Sequence, residues 1–377
     1  MDRVSVLGCA EYRRELLDEV IERHFAALDA GGTLIRPGAK VMVKPNLIMR
    51  RRPEDSSTTH PEFLAAVIRA VQRRGGKCTI AESPGGPYTK AMLKSVYAGT
   101  GVEKVAQETG ALLNYDVGTV TVPSKGGAVC SSFTVISPVT RVDLVISVAI
   151  LKTHTMLNYS GAVKNLFGCV PGLMKPEFHY RFPARENFAQ MIVDLCETVA
   201  PALSFVDGIV CMEGNGPTGG TPRFMGVTLA GCNPHALDLA ASSLAGFSPD
   251  DAPTVKAAIG RGLCCAAVSQ LDIVGDNYEK FALRGFKKPE TKQNFMIEKL
   301  PEFIRRPLDS LLAPRPAIRR AACIGCGKCA ESCPRSAIAI VGKKAQIDYS
   351  KCIKCYCCHE MCPEKSVDIK RMGLFGK

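Results

Sequence analysis

Two cysteine runs near the C-terminus have the spacing most specific for chemistry in this chain. In each run, three cysteines are separated by two residues each, and a fourth cysteine follows directly before a proline. Three thiolates at this spacing wrap one corner of a 4Fe-4S cube, and in the two-cluster arrangement the fourth cysteine ligates the other cluster. We therefore predict two 4Fe-4S clusters, held by Cys323, Cys326, Cys329 and Cys362 in the first and by Cys352, Cys355, Cys358 and Cys333 in the second.

Disulfides and zinc are the alternative interpretations of these cysteines. Disulfide frameworks are typical of small secreted domains, whereas this chain has 377 residues and opens without an apolar signal region. Zinc takes four ligands as two pairs, and a doubled run of four cysteines with trailing prolines exceeds that requirement. The pattern thus favours iron and sulfur. Cys357 stands between two predicted ligands outside the spacing, and we interpret it as a free thiol.

Length and composition indicate a globular protein of two or three domains. The 377 residues have a hydrophobic fraction of 46%, which supplies a large buried core. The longest strongly apolar run, residues 142–151, contains Asp143 and is too short to cross a bilayer, so we predict no transmembrane segment. Nine further cysteines precede residue 300, which suits a reducing compartment. We therefore predict a cytoplasmic location.

The formal net charge of +12 indicates a protein with anionic partners. Two oxidised clusters with their thiolates would lower this charge by about 4, so the protein would remain basic. Nucleic acid, anionic lipid, phosphorylated metabolites and acidic redox proteins all fit the sign of the charge. A nucleic-acid-modifying enzyme has the least support, because the chain has no tryptophan, 6% aromatic residues and no basic stretch interleaved with aromatic residues.

The first 280 residues alternate short β-branched apolar runs with amphipathic segments, which predicts an α/β domain with a mostly parallel sheet flanked by helices. Helical spacing of apolar residues predicts helices at 11–28 and 61–74, and alternation within 111–137 predicts a small antiparallel excursion. The predicted buried strands are 4–7, 41–43, 78–81, 142–148, 203–210, 227–230 and 271–274.

The rest of the chain predicts a linker and a second domain. Residues 281–320 lose the alternating pattern and carry five prolines among basic and apolar residues, so we predict a basic linker there. Residues 321–377 are predicted to form a bacterial-ferredoxin-like α+β module with two similar halves. A module this small needs its metal for stability, so cluster binding should contribute folding energy.

Polar residues follow several predicted strands, where open α/β sheets form their ligand crevice. Lysines supply positive charge for a carboxylate or phosphate, amides form hydrogen bonds, and a histidine can transfer a proton near neutral pH. We predict a site for an anionic substrate, with His154 and Lys152 as catalytic candidates. The substrate-binding candidates are Lys44, Asn46, Lys152, His154, Lys164, Asn165, His179, Gly214 and Gly216.

Each of these candidates also has an ordinary structural interpretation. A lysine after a strand is commonly a solvated strand end, and a single histidine is commonly a hydrogen-bonded structural residue. The glycine-rich stretch 213–220 matches neither phosphate-binding fingerprint, and Pro217 and Pro222 indicate an irregular loop. An ordinary turn is therefore an equal alternative for its glycines.

The combination of these segments resembles a known family. The segments are Lys44-Pro45-Asn46-Leu47, Lys152-Thr153-His154, the stretch 162–168, Asp207-Gly208 and the stretch 213–217. With the cysteine runs, this set is similar to domain-of-unknown-function family 362 over residues 1–280 and 321–369. The resemblance implies a large α/β domain, often fused to a two-cluster ferredoxin module, in proteins commonly described as iron-sulfur cluster-binding. It implies fold and clusters more than substrate.

Our leading hypothesis is an oxidoreductase that relays single electrons through two 4Fe-4S clusters. The electrons would pass from a soluble redox partner protein to an anionic substrate or a further, unidentified cofactor held by Lys44, Lys152 and Lys164. Fusion of clusters and large domain motivates this hypothesis, because a tether gives the clusters a high effective concentration near their acceptor. The alternative is a non-enzymatic electron carrier or adaptor, whose large domain docks onto a partner oxidoreductase.

Overall fold

The computed structural model describes residues 1–290 and 314–370. Up to residue 290 the strands are β1 (Arg3–Gly8), β2 (Lys40–Pro45), β3 (Lys77–Ile80), β4 (Leu112–Leu113), β5 (Thr119–Pro123), β6 (Ser132–Ile136), β7 (Leu144–His154), β8 (Asn158–Ser160), β9 (Leu203–Glu213), β10 (Thr221–Gly231) and β11 (Asp272–Gly275). Nine of them form one sheet in the order β11-β1-β10-β9-β7-β2-β3-β4, with β8 paired to β7. Strands β5 and β6 form a separate ribbon.

Most neighbouring strands of the sheet are parallel, which confirms the predicted α/β class. The pairs β1–β11, β2–β3, β2–β7, β3–β4 and β7–β9 are parallel. Strand β10 is antiparallel to both β1 and β9, and β8 is antiparallel to β7. The predicted antiparallel excursion is the ribbon of β5 and β6. Strands β7 and β9 extend several residues beyond the predicted apolar runs, and the extension of β7 carries Lys152 and His154.

The helices of this part of the chain occupy the connections between the strands. They are α1 (Arg14–Leu28), α2 (Pro61–Arg73), α3 (Lys90–Gly99), α4 (Val102–Thr109), α5 (Ala162–Asn165), α6 (Met174–Arg181), α7 (Arg185–Val199), α8 (Pro234–Leu244) and α9 (Pro253–Gly260). Helix α2 begins with Pro61 at its first position, and the side chain of His60 caps it by accepting the N–H of Glu62. Within the described ranges, no helix is long and apolar enough to cross a membrane.

Helices cover both faces of the sheet. Val41 and Val43 pack in one core cluster with Phe25 of α1 and Phe63 of α2. Met42, which lies between the two valines, packs in a second cluster together with α7. Because successive side chains of a strand point to opposite faces, strand β2 is apolar on both sides, as buried parallel strands are.

The C-terminal part forms a small module of two strand pairs. Its elements are β12 (Arg315–Ile318), α10 (Lys328–Glu331), β13 (Ile338–Val341), β14 (Lys344–Ile347), α11 (Cys357–Glu360) and β15 (Val367–Lys370). Strand β12 pairs with β15 and β13 pairs with β14, all antiparallel. The apolar core is small, and cysteines pack in it beside Ile338, Ala345 and Val367.

The predicted linker, residues 281–320, overlaps this module. Residues 291–313 lie outside the described residues, whereas Arg315–Ile318 form β12 and belong to the module's sheet. The predicted boundaries at residues 280 and 321 stay predictions.

Candidate functional site

A cleft lies between the strand ends of the large sheet and the C-terminal module. Parallel strands end at the same edge, so the residues that follow them converge there. Asn46 follows β2, and Glu82 lies shortly after β3. Lys152 and His154 are among the last three residues of β7. Helix α5 adds Lys164. The module contributes Ser332, Cys357, Glu360 and Met361 to the lining.

Lys44 lies behind the cleft wall and does not present a free ammonium. Its Nζ donates to the Glu82 carboxylate, to the carbonyl oxygen of Pro45 at 2.7 Å and to Oδ1 of Asn165 at 3.1 Å. These three acceptors use all three donors of the ammonium. Burial raises the pKa of Glu82, while Lys44 and Lys175 act in the opposite direction. Lys44 therefore compensates the charge of Glu82 inside the protein.

Two amides connect Lys44 to the cleft. Asn165 donates from Nδ2 to Oγ of Ser147 at 2.9 Å and to the carbonyl oxygen of Lys44 at 3.1 Å. Its Oδ1 accepts from Nδ2 of Asn46 at 3.2 Å. Both amides are therefore held in one orientation by bonds within the protein.

Lys152 has one donor to spare. Its Nζ donates to Oδ1 of Asn46 at 2.6 Å and to the carbonyl oxygen of Ser57 at 2.5 Å. The side chain is almost fully buried. Burial, reinforced by the positive charge of Lys164, lowers the pKa of Lys152 to about 7. A group with this pKa can carry its charge when an anion is present and lose it when none is bound.

Lys164 and Lys175 differ in how far the protein satisfies them. Lys175 donates to the carbonyl oxygens of Ser83 at 2.6 Å and Val170 at 2.7 Å, and burial lowers its pKa to about 7. Lys164 lies with Nζ 4.6 Å from the ring centroid of Phe167, and it has no hydrogen-bond acceptor among the described residues. Burial lowers the pKa of Lys164, although Glu360 opposes this shift. Lys164 is thus the cleft lysine most open to an anionic ligand.

His154 is fixed as a hydrogen-bond donor. The backbone N–H groups of Met156 and Leu157 both donate to its Nδ1 at 3.2 Å, so the proton lies on Nε2. Nε2 lies 3.2 Å from Oε1 of Glu360, yet the pair is poorly aligned, and both buried atoms lack a well-directed hydrogen bond among the described residues. Burial lowers the pKa of His154. This geometry suits donation to a ligand better than the proton transfer expected from the sequence.

His179 also lines the cleft, and its ring packs on apolar side chains. Its ring stacks on Phe188 at 4.3 Å between centroids, and Nδ1 lies 3.3 Å from Sδ of Met156. Burial lowers its pKa to about 3. His179 is therefore neutral and shapes the cleft wall.

Gly214 and Gly216 lie outside the cleft and shape the loop beside it. The N–H of Gly216 donates to Oγ1 of Thr153 at 3.2 Å, and a Cβ at this position would lie 2.1 Å from the carbonyl oxygen of Thr153. Gly214 has φ of +82°, which favours glycine. The close approach brings Pro217 into the cleft wall.

The module is held on the large domain by directed hydrogen bonds. Arg51 is buried, and its guanidinium donates to the carbonyl oxygens of Cys362 at 2.8 Å and Pro363 at 3.0 Å. Oγ1 of Thr218 donates to the carbonyl oxygen of Glu360 at 3.0 Å. These bonds fix the segment that carries Glu360 and Cys362.

Glycines of the large domain make room for module side chains. A Cβ at Gly85 would lie 2.4 Å from Sδ of Met361, and a Cβ at Gly219 would lie 2.6 Å from Cε1 of His359. A side chain at residue 219 would also meet the carbonyl oxygen of Asn215 at 2.9 Å, whereas one at residue 85 would force the end of the Met361 side chain to move. The two surfaces therefore fit each other closely at the cleft.

The cysteines line two separate small cavities. Backbone N–H groups point at three sulfur atoms: Ala345 at Cys323, Ala337 at Cys333 and Ser366 at Cys362, with N···S distances of 3.2–3.4 Å. Such donors stabilise thiolates, so the residues present fit 4Fe-4S clusters. The first cavity is lined by Cys323, Cys326, Cys329 and Cys362, and the second by Cys333, Cys352, Cys355 and Cys358.

Cys357 lines both the second cysteine cavity and the cleft. Its side chain is buried. It opens helix α11, which ends at Glu360, so one short helix separates the cavity from the cleft. The second cavity therefore lies beside the candidate ligand site.

The structure brings together most of the predicted site residues. The candidates that line the cleft are Asn46, Lys152, His154, Lys164, Asn165 and His179. The sequence prediction missed Glu82, Lys175 and Glu360. Glu82 comes directly after the predicted strand 78–81, so the rule that found Asn46 would also have found it. For Lys175 and Glu360 the sequence offers no comparable signal.

The sequence of the large domain matches a known protein family. Residues 41–243, more than half of the chain, match the family described as a domain of unknown function (DUF362). This chain belongs to the DUF362 family. Residues 315–363 match a 4Fe-4S dicluster domain, so this DUF362 protein carries an iron-sulfur module of the predicted type.

Two similar proteins are informative to different degrees. A thylakoid-associated protein from Synechocystis sp. is 34% identical over 268 residues, which are 69% of this chain and 79% of that protein. The lactate racemase apoprotein from Thermoanaerobacterium thermosaccharolyticum is 14% identical with a TM-score of 0.40, covering 66% of this chain and 58% of that one. A structural similarity at this level is too low to carry an argument.

We expect Arg51→Ala to loosen the module. The substitution removes two charge-assisted hydrogen bonds to Cys362 and Pro363, together worth roughly 2 kcal/mol or more. Amide hydrogen exchange of the anaerobically purified protein, measured over residues 357–370, should become at least about tenfold faster. The matched control is the exposed neighbour in Arg52→Ala, which should leave exchange unchanged. Equal exchange in Arg51→Ala and wild type would contradict the role of Arg51.

Proposed function

We propose that this protein is an iron-sulfur oxidoreductase that binds an anionic substrate or cofactor in the cleft beside its second cluster. One observation carries the proposal: the same cleft is lined by lysines of the α/β domain and by Cys357 and Glu360 of the iron-sulfur module. An electron carrier or adaptor gains nothing from a polar small-molecule cleft at this position. The cleft therefore favours the oxidoreductase over that alternative.

The spare donors define how the anion is held. Lys164 offers three unused N–H groups, Lys152 offers one, and His154 offers its Nε2–H. Oε1 of Glu360 is a buried acceptor without a well-directed partner among the described residues. A carboxylate or phosphate that also carries a hydrogen-bond donor would meet all of these groups. Lys44 supports this site through Glu82 and does not bind the ligand itself.

We propose two 4Fe-4S clusters, with the ligands assigned from the spacing. Cys323, Cys326, Cys329 and Cys362 would hold the first, and Cys352, Cys355, Cys358 and Cys333 the second. When bound, such clusters supply one-electron transfer. The N–H groups that point at sulfur would hold the thiolates in position. A soluble redox partner and a cytoplasmic location belong to the same proposal.

Iron analysis tests the cluster assignment. The anaerobically purified protein should contain about eight irons per chain, because each 4Fe-4S cluster holds four. In Cys355→Ala the iron content should fall towards about four, as the second cluster loses a ligand. Cys265→Ala removes a thiol that lies in neither cavity and should keep the wild-type content. About four irons in wild type, or an unchanged content in Cys355→Ala, would contradict the assignment.

Calorimetry tests the anion site. Inorganic phosphate and acetate should bind the anaerobically purified protein, and Lys164→Met should weaken both by about tenfold or more, since a hydrogen bond to a charged group contributes about 1.5–3 kcal/mol. The exposed lysine in Lys94→Met is the matched control and should leave affinity unchanged. If neither anion binds wild type, or if Lys164→Met binds as well as wild type, the proposed function is wrong.

The pH dependence of acetate binding follows from Lys152. Its pKa of about 7 means that it is charged below pH 7 and neutral above, so affinity should be highest below pH 7 and fall as pH rises through it. Acetate is chosen because its own charge stays constant in this range. Lys152→Met should reduce the slope without removing it, because Lys175 titrates in the same range. A flat wild-type profile would show that Lys152 does not contribute.

A further inference from the structure

We infer that the exposed face around the first cysteine cavity is the docking surface for a small redox protein with an acidic surface. This inference rests on the proposed function, which needs a partner that supplies or removes electrons. It names the surface of this chain that the partner contacts. Three features of the module carry it: exposed apolar side chains, exposed basic side chains and the location of the first cavity.

The apolar part of the face lies at the rim of the first cavity. Ile324 is 62% exposed and Ile340 is 39% exposed, and both line this cavity. Val341, next to Ile340, is 50% exposed. Solvent-exposed patches of large apolar side chains are a recurrent feature of interaction sites. Cys326, one of the cysteines of this cavity, is itself exposed, so a docked partner would reach the cavity directly.

Backbone geometry holds these side chains in place. Strands β13 and β14 are joined by Gly342 and Lys343, whose φ angles of 56° and 59° are typical of a tight hairpin turn. Gly325 packs against this turn, since a Cβ there would lie 2.3 Å from the carbonyl oxygen of Lys343. The loop of Ile324 and the hairpin tip with Val341 therefore form one continuous surface.

The charged part of the face is predominantly basic. Arg320, Lys328 and Lys343 are exposed, and none has an acidic partner among the described residues. The Nζ of Lys344 donates a hydrogen bond to the carbonyl oxygen of Cys323 at 2.5 Å, which places the positive charge of Lys344 beside the cavity. Two exposed acidic residues oppose these four basic ones: Glu364, which lines the cavity, and Glu331, which ends the short helix that begins at Lys328. An apolar centre with a basic rim complements a partner whose redox centre is surrounded by acidic residues.

The position of the two cavities selects this face over others. The second cavity lies beside the cleft, because Cys357 lines both. Arg51 holds Cys362 and Pro363 against the large domain, so the large domain covers the side of the first cavity that these two residues form, whereas Ile324, Cys326 and Ile340 of the same cavity are exposed. The first cavity keeps an exposed rim. Contacts between redox proteins are small and transient, so a face of a few apolar residues with a charged rim suffices.

Binding of a purified acidic flavodoxin to the anaerobically purified full-length protein tests this surface. Calorimetry at low and high salt should show binding that weakens with salt, because the basic rim contributes charge attraction. Ile324→Glu and Val341→Glu should each weaken binding by about tenfold or more. Val341 lies further from the cysteines, so it separates loss of contact from loss of cluster. Leu112→Glu, at an apolar position of the large domain that is 69% exposed, is the matched control and should bind as wild type.

Iron content and phosphate binding are measured on the same variants. Variants that keep both but lose flavodoxin support the docking surface. No flavodoxin binding to wild type, or wild-type affinity in both Ile324→Glu and Val341→Glu, overturns it whether or not phosphate binds. Flavodoxin binding that depends on Ile324 and Val341 without any anion binding would instead refute the proposed function alone.

Discussion

The compensation of lysine charge at one edge of the sheet is the constraint on which the rest of the site depends. Four lysines meet there, and an uncompensated buried ammonium costs several kcal/mol. Lys44 is paired with the carboxylate of Glu82, and Lys175 donates to the backbone carbonyl oxygens of Ser83 and Val170. Lys152 and Lys164 retain unused donors. The protein thus keeps part of its positive charge uncompensated at the point where a ligand can enter.

The iron-sulfur module takes part in this compensation. Glu360 faces His154 and opposes the pKa shift of Lys164, so the cleft reaches its charge balance only when the module is seated. The contact between the module and the large domain is specific. Arg51 donates to the backbone of Cys362 and Pro363, and Gly85 leaves room for Met361. The same contacts bring the second cysteine cavity beside the cleft. The contacts that hold the module on the large domain therefore also place Glu360 among the cleft lysines and the second cysteine cavity beside the cleft.

The parts of this arrangement that depend on local chemistry could be predicted from the sequence. Cysteine spacing grouped the thiols into the two sets that line separate cavities, and the convergence of parallel strands identified Lys152 as a cleft residue. The direction in which the Lys44 side chain points could not be predicted, because it depends on the contact with Glu82, which follows a different strand of the sheet. Glu360 could not be found either, since its role arises from packing between distant parts of the chain. The cysteine pattern predicts that the module binds iron-sulfur clusters. It does not predict which face of the module packs against the large domain.

The most direct test is whether an anion bound in the cleft changes the electron paramagnetic resonance signal of the iron-sulfur module. Electron paramagnetic resonance spectra of the photochemically reduced protein, recorded with and without saturating acetate, measure this. We expect the iron-sulfur signal to change on addition of acetate, and Lys164→Met to abolish the change. Superimposable spectra from wild-type protein with and without saturating acetate would contradict the proposed placement of the ligand beside the second cysteine cavity.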